Sequence, residues 1–219
     1  MALQLVIGNK NYSSWSMRPW LALRGSNIAF EEVFIPLYTD NKADKERILG
    51  FSRSGKVPVL VDGDVTVWDS LAIIEYLAER FPDARLWPEN RAQRAHARSI
   101  SAEMHSGFLP LRNECAMNLH RPVRAIALSA DARANVARIE AIWMECRERC
   151  RSLGPYLFGA FTAADAMFAP VVHRFRTYAI AVGGEAKAYM DTMMAQPAFQ
   201  EWTKAGLAET LVIERIENL

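Results

Sequence analysis

The chain has 219 residues, about half of them apolar, with 26 Lys plus Arg against 25 Asp plus Glu and a formal net charge of +1. That length suits one large or two modest domains with a real core, and the charge balance argues against nucleic acid or a membrane surface as partner. No signal peptide is evident and no uncharged apolar run reaches the roughly 18 residues of a spanning helix, so the three cysteines, Cys115, Cys146 and Cys150, are expected to be reduced thiols in the cytoplasm.

Leu3 to Ile7 is a short apolar, β-capable run. Tyr12-Ser13-Ser14-Trp15-Ser16-Met17-Arg18 follows it and leads into Pro19-Trp20-Leu21-Ala22-Leu23. That order reads as strand, turn, helix. It sets hydroxyl groups where a helix begins, beside backbone N–H groups without partners. Such a corner suits an anion.

Glu31 to Ile35 is a second strand candidate and Ala43 to Leu49 a short helix. Val57 to Val61 and Val65 to Trp68 are β-rich runs split by Asp62-Gly63-Asp64, a hairpin turn signal. Ser70 to Phe81 reads as a helix with Leu71, Ile74, Leu77 and Phe81 near one face. Trp68-Asp69-Ser70 ahead of it is a second polar corner, with Ser70 as the expected cap of a helix starting near Leu71.

The first 81 residues thus order as βαβαββα, a mixed sheet with helices on its faces. The stretch 82–90 carries two prolines and no apolar period, which marks a linker. Residues 91–219 lose nearly all β-rich runs. Arg91 to Leu119, Asp131 to Leu153, Ala163 to Ile180, Glu185 to Ala195 and Ala198 to Leu207 read as helices. Thr162-Ala163-Ala164-Asp165 has the register of a capping box, with Phe161 placed to staple against Ala166 or Met167. Loss of the Asp165 carboxylate is expected to cost about 0.5–2 kcal/mol.

These motifs together resemble the cytosolic glutathione transferase family. The first part is similar to its thioredoxin-like α/β domain and the second to its all-α domain. Asp69-Ser70 before Leu71-Ala72-Ile73-Ile74-Glu75-Tyr76-Leu77 resembles the glutathione-binding motif. Lys56-Val57-Pro58-Val59-Leu60 resembles the cis-proline segment, and Gly159 to Asp165 the cap of the helical domain. Ser13-Ser14-Trp15-Ser16-Met17-Arg18 looks closest to the serine-type classes, especially the zeta class that isomerises maleylacetoacetate. Trp15 stands where that class has cysteine, and Pro19-Trp20 departs from its basic residue.

The resemblance implies glutathione as co-substrate and an electrophilic small molecule as its partner. It makes Ser13 the candidate hydroxyl at the glutathione sulfur, Ser14 the close alternative, and Tyr12 a third possibility. A thiol with a pKa of about 8.5 is only about 3% ionised at pH 7. Lowering that pKa by about two units needs about 2.7 kcal/mol. One charge-assisted hydrogen bond supplies about 1.5–3 kcal/mol, so no metal is required.

Asp69 and Ser70 would receive the γ-glutamyl end. Val57, ahead of a cis Pro58, would pair with the cysteinyl backbone as an added strand does. Lys42 and Lys56 are candidates for the glycyl carboxylate. Trp15, Met104, His105, Phe108, Leu109 and Arg112 are candidates for the acceptor side, with Arg112 suited to an acidic substrate. Arg18 suits an ion pair. Conjugation, thiol-dependent reduction, isomerisation as a maleylacetoacetate isomerase, and a non-catalytic glutathione-binding role all remain open, and a homodimer is implied. Cys146 and Cys150 share a helix face but lack further ligands for zinc.

Overall fold

The computed structural model describes residues 2–39 and 41–217. A four-stranded sheet comes first, built from β1 (Gln4–Ile7), β2 (Glu31–Phe34), β3 (Val59–Asp62) and β4 (Val65–Trp68) in the order β2-β1-β3-β4. β1 runs parallel to β2 and antiparallel to β3, and β3 and β4 form a hairpin. Gly63 turns that hairpin at φ 63°, a conformation open to glycine at no steric cost. β1 is central, so Leu5, Val6 and Ile7 are all buried.

The period of two sends those side chains to different cores. Val6 and Val59 meet Ile35 and Ile48 beneath α2 (Lys42–Phe51). Leu5, Ile7 and Leu60 face α1 (Ser14–Gly25) and α3 (Ser70–Arg80). That second core runs on without a break into the helices that follow. Trp20 of α1 is fully buried and packs edge-on against Trp202, with ring centroids 5.2 Å apart.

The remainder is helical: α4 (Arg91–Ser106), α5 (Leu109–Glu114), α6 (Ala130–Cys150), α7 (Ala163–Thr177), α8 (Gly184–Ala195), α9 (Pro197–Leu207) and the short α10 (Glu214–Glu217). α7 lies at the centre, with nearly every side chain buried. Trp143 of α6 closes the core against Phe168, Phe175 and Tyr189. The architecture is a thioredoxin-like α/β unit followed by an all-α unit.

Three elements differ from the sequence reading. The helix expected over 91–119 is two helices, because Phe108 adopts a left-handed conformation at φ 62° between Gly107 and Pro110. β3 starts two residues later than expected, after the Val57–Pro58 bond, which is cis. The helix at 214–217 was not foreseen, since Val212-Ile213-Glu214-Arg215 carries no helical period. Among the described residues no helix is long and apolar enough to cross a membrane.

Candidate active site

A cleft of about 1210 Å³ opens where the two polar corners meet α2, α5 and the C-terminal helix. The loop between β1 and α1 forms its floor, and the helical unit holds that loop. Glu209 accepts the N–H groups of Lys10 and Asn11 at 2.6 and 3.1 Å. Asn11 Oδ1 accepts the N–H groups of Leu119 and His120 at 2.6 and 3.2 Å. Gly206 allows α9 to approach so closely, since a Cβ there would stand 3.1 Å from the Lys10 carbonyl carbon.

The serines of this loop do different work. Ser13 caps α1: its Oγ accepts the Ser16 N–H at 3.3 Å and donates to Ser16 Oγ at 2.8 Å. Ser14 begins the helix, and its Oγ accepts a hydrogen bond from Arg174 Nη2 at 3.4 Å. Tyr12 lines the cleft, but its hydroxyl donates to Glu217 Oε1 at 2.5 Å and accepts the Ile213 N–H at 3.4 Å. Burial, reinforced by Glu217, pushes its pKa up to about 12.

At the second corner the cap is Asp69, not Ser70. Asp69 Oδ1 accepts the N–H groups of Leu71 and Ala72 at 2.9 and 3.2 Å, and Ser70 is the first helical residue. Asp69 sits at φ 77°, a strained conformation for a residue with a Cβ. The serine is thereby turned inward. Ser70 is fully buried, and its Oγ has no hydrogen-bond partner among the described residues. It lines the cleft at the positive end of α3.

Charge accumulates on the opposite wall. The guanidiniums of Arg18 and Arg112 lie 4.5 and 4.9 Å from the Trp15 ring centroid. Arg174 donates from Nε to the Cys115 carbonyl at 2.7 Å. Burial pulls the Arg18 pKa well below its usual range, Arg112 and Arg174 lower it further, and Asp69 partly restores it. Burial, then the charge of Arg112, brings Arg174 down to about 10. Arg112 donates to the carbonyls of Met104 and, at 3.1 Å, His105.

His105 Nε2 stands 3.1 Å from Asp69 Oδ2, and its ring meets Trp15 edge-on at 5.3 Å. Burial lowers its pKa, Asp69 opposes that, and Arg18 and Arg112 add to it. Burial pushes the thiols of Cys115 and Cys146 up to about 11 and 12, so they are poor nucleophiles. Among the described residues no cluster of three or more His, Cys, Asp or Glu side chains is arranged to hold a metal ion.

Residues 12–80 match the family model of the glutathione S-transferase N-terminal domain, and residues 127–205 match that of the C-terminal domain. The two matches follow in order and together take in more than half of the chain. The chain belongs to the glutathione S-transferase superfamily. It is 42% identical over 101 residues to a probable maleylacetoacetate isomerase of Caenorhabditis elegans, covering 46% of this chain and 45% of the relative. It is 34% identical over 116 residues to glutathione S-transferase 1 of Dianthus caryophyllus, covering 53% and 51%. The chain therefore spans about half the length of these curated relatives. A glutathione transferase homologue from Burkholderia, solved with bound glutathione, superposes with a TM-score of 0.72 at 22% identity, over 95% of this chain and all of that one.

For this transferase-fold chain the structure brings together Tyr12, Ser13, Ser14, Trp15, Lys56, Val57, Pro58, Asp69, Ser70 and Arg112 along one cleft. It does not bring the others there. Lys42 is exposed at the start of α2, and the lysine that lines the cleft is Lys45, one turn on. Met104 and Phe108 are core residues. Leu109 is exposed outside the cleft lining. His105 acts behind the cleft, on Asp69 and Trp15. Arg174 and Arg215 also line the cleft without having been chosen as site residues. No local pattern marks them, since Arg174 lies 160 residues from Ser14.

Proposed function

We propose that this chain is an enzyme that binds glutathione in the cleft and presents its thiolate to an electrophilic small molecule. Ser70 carries the reading. A buried hydroxyl without a partner is costly, and this one belongs to a residue that lines the cleft at the positive end of α3. A γ-glutamyl carboxylate satisfies both. Val57 offers its backbone to the cysteinyl unit, and Lys45 and Lys56 supply positive charge for the glycyl carboxylate. The sulfur then falls at the start of α1, near Ser13 and Ser14.

Ser70→Ala separates ligand binding from folding. The Oγ makes no hydrogen bond among the described residues, so the unfolding free energy should change little. Loss of a charge-assisted hydrogen bond of about 1.5 kcal/mol weakens glutathione binding about tenfold. Isothermal titration reads the affinity and urea unfolding the stability. Unchanged affinity would remove Ser70 from the site.

A second reading is glutathione-dependent cis–trans isomerisation. The similarity to a maleylacetoacetate isomerase favours it, as do Arg112 and Arg174 in the cleft wall, which suit an anionic substrate. A product screen divides the readings: a thioether adduct marks transfer, and intact glutathione with a geometrically inverted product marks isomerisation. Binding without any product in an assay containing maleylacetoacetate and representative electrophiles would support the non-catalytic role.

A further inference from the structure

The sulfur end of the cleft carries more positive charge than the protein balances. Arg112 of α5 and Arg174 of α7 line it, and Arg18 of α1 is buried against the Trp15 ring. Among the described residues none of the three has a carboxylate within ion-pair distance. Asp69, the carboxylate that faces Arg18, is already engaged by the α3 N–H groups and His105. Arg18 Nε and Nη1 and Arg112 Nε are buried without partners among the described residues. Buried charge is ordinarily paired, so this surplus points to an anion that forms or binds there.

The hydrogen bonds around Ser14 identify where that anion sits. Arginine has donors only. Ser14 Oγ is therefore the acceptor in its contact with Arg174, and its proton is left for another group. Ser13 is tied to Ser16 both as donor and as acceptor. Tyr12 is committed to Glu217. Of the three hydroxyl residues of this corner that line the cleft, Ser14 alone has a proton with no acceptor among the described residues.

We propose that Arg174 sets the acidity of the bound glutathione thiol by polarising Ser14, whose hydroxyl donates to the sulfur. The proposal rests on the glutathione reading above. On ionisation the S–H bond breaks, the proton passes to water, and the electron pair stays on sulfur. The Ser14 O–H then donates to the thiolate while Arg174 donates to Ser14, and a chain of aligned donors strengthens each link. Arg112 and Arg18 add positive potential from beyond Trp15. Arg174 is a positioning residue, because it acts through the serine.

The groups that face this chain do not obscure its titration. Cys115 and Tyr178 lie against Arg174, and burial raises the pKa of both. His105 ionises below its usual range. Arg121 and Glu217 face Tyr178, and Asp44, Lys45, Lys56 and Arg215 line the far side of the cleft.

The test is the ultraviolet absorbance of the thiolate, titrated with pH in the glutathione complex of the full chain. Arg174→Met should raise the thiol pKa by about one unit, a tenfold loss of acidity equal to about 1.4 kcal/mol. Arg174→Lys should recover part of it. Ser14→Ala should raise the pKa as well, and the double variant should add little to the larger single effect. Arg176→Met, an exposed neighbour on α7, should leave it unchanged. Calorimetry on the same samples reads glutathione binding. If Arg174→Met binds glutathione with an unaltered thiol pKa, the proposal falls and the glutathione reading stands. A raised KM for a carboxylate acceptor with the pKa unmoved overturns it too, and assigns Arg174 to the acceptor. Should Arg174→Met fail to fold, an unmoved pKa in Ser14→Ala is sufficient to overturn it. A wild-type chain that binds no glutathione overturns both.

Discussion

Replacing Asp165 with alanine is expected to lower the unfolding free energy by roughly 3–5 kcal/mol. The sequence suggests a smaller figure, because an N3 acid in a capping box ordinarily serves one helix end. Here the carboxylate serves more. Thr162 and Asp165 form the capping box at the start of α7. Oδ2 accepts the Thr162 N–H at 2.8 Å and the Thr162 hydroxyl at 2.9 Å. Oδ1 accepts the Leu157 N–H at 3.1 Å, from the loop that precedes the helix. Asp165 is completely buried, so water cannot replace it. Alanine leaves two buried N–H groups without acceptors, at about 1–3 kcal/mol each. Urea unfolding near neutral pH measures the loss. A change below about 1 kcal/mol would mean that the loop relaxes to bury or solvate those groups elsewhere. α7 also carries Arg174, so the cap that starts the helix also fixes a wall of the cleft.

Legibility in the sequence follows the range of each interaction. The β3–β4 hairpin was readable because Asp62-Gly63-Asp64 specifies its turn locally. Most helices were readable because caps and apolar period agree, as they do around Thr162 and Asp165. The break between α4 and α5 was only half visible. Pro110 lacks a backbone N–H and so favours a bend there, but the left-handed Phe108 that makes it is a packing outcome. Asp69 exchanged roles with Ser70 for a similar reason, since its positive φ is imposed by the chain path from β4 to α3. Lys45 replaced Lys42 because both lie on a short polar helix, and only the seating of Ile48 against the sheet fixes which face is turned to the cleft. The places of Arg174 and Arg215 in the cleft were not readable. Each is brought to Ser14 or Tyr38 by tertiary packing across most of the chain length.

The acid limb of stability should be set in part by His173 acting against Asp165. His173 lies in α7, stacked on Phe199 with ring centroids 4.2 Å apart, and its Nε2 is 3.2 Å from Thr203 Oγ1. Burial, helped by Arg176 and Arg174, brings its pKa down to about 3. Unfolded, the same ring titrates near its ordinary value of about 6.5. Between those values the unfolded chain holds a proton that the native chain refuses. The contribution is therefore complete above about pH 6.5 and is lost as pH falls. Asp165 has the opposite sign. Burial raises it to about 6 despite its three donors. Its contribution is complete below the ordinary carboxylate value of about 3.9 and is lost as pH rises through about 6. Between about pH 6 and 4 the two slopes nearly cancel, at about 1.4 kcal/mol per pH unit each. Urea unfolding of wild type and His173→Gln at several pH values separates them. From pH 7 to about 4 the wild type should lose about 3 kcal/mol relative to the variant. Asp165→Ala should instead fall further behind the wild type over the same interval, by up to about 3 kcal/mol. A pH-independent difference for His173→Gln would show that the imidazole is reached by water and titrates normally in the native state.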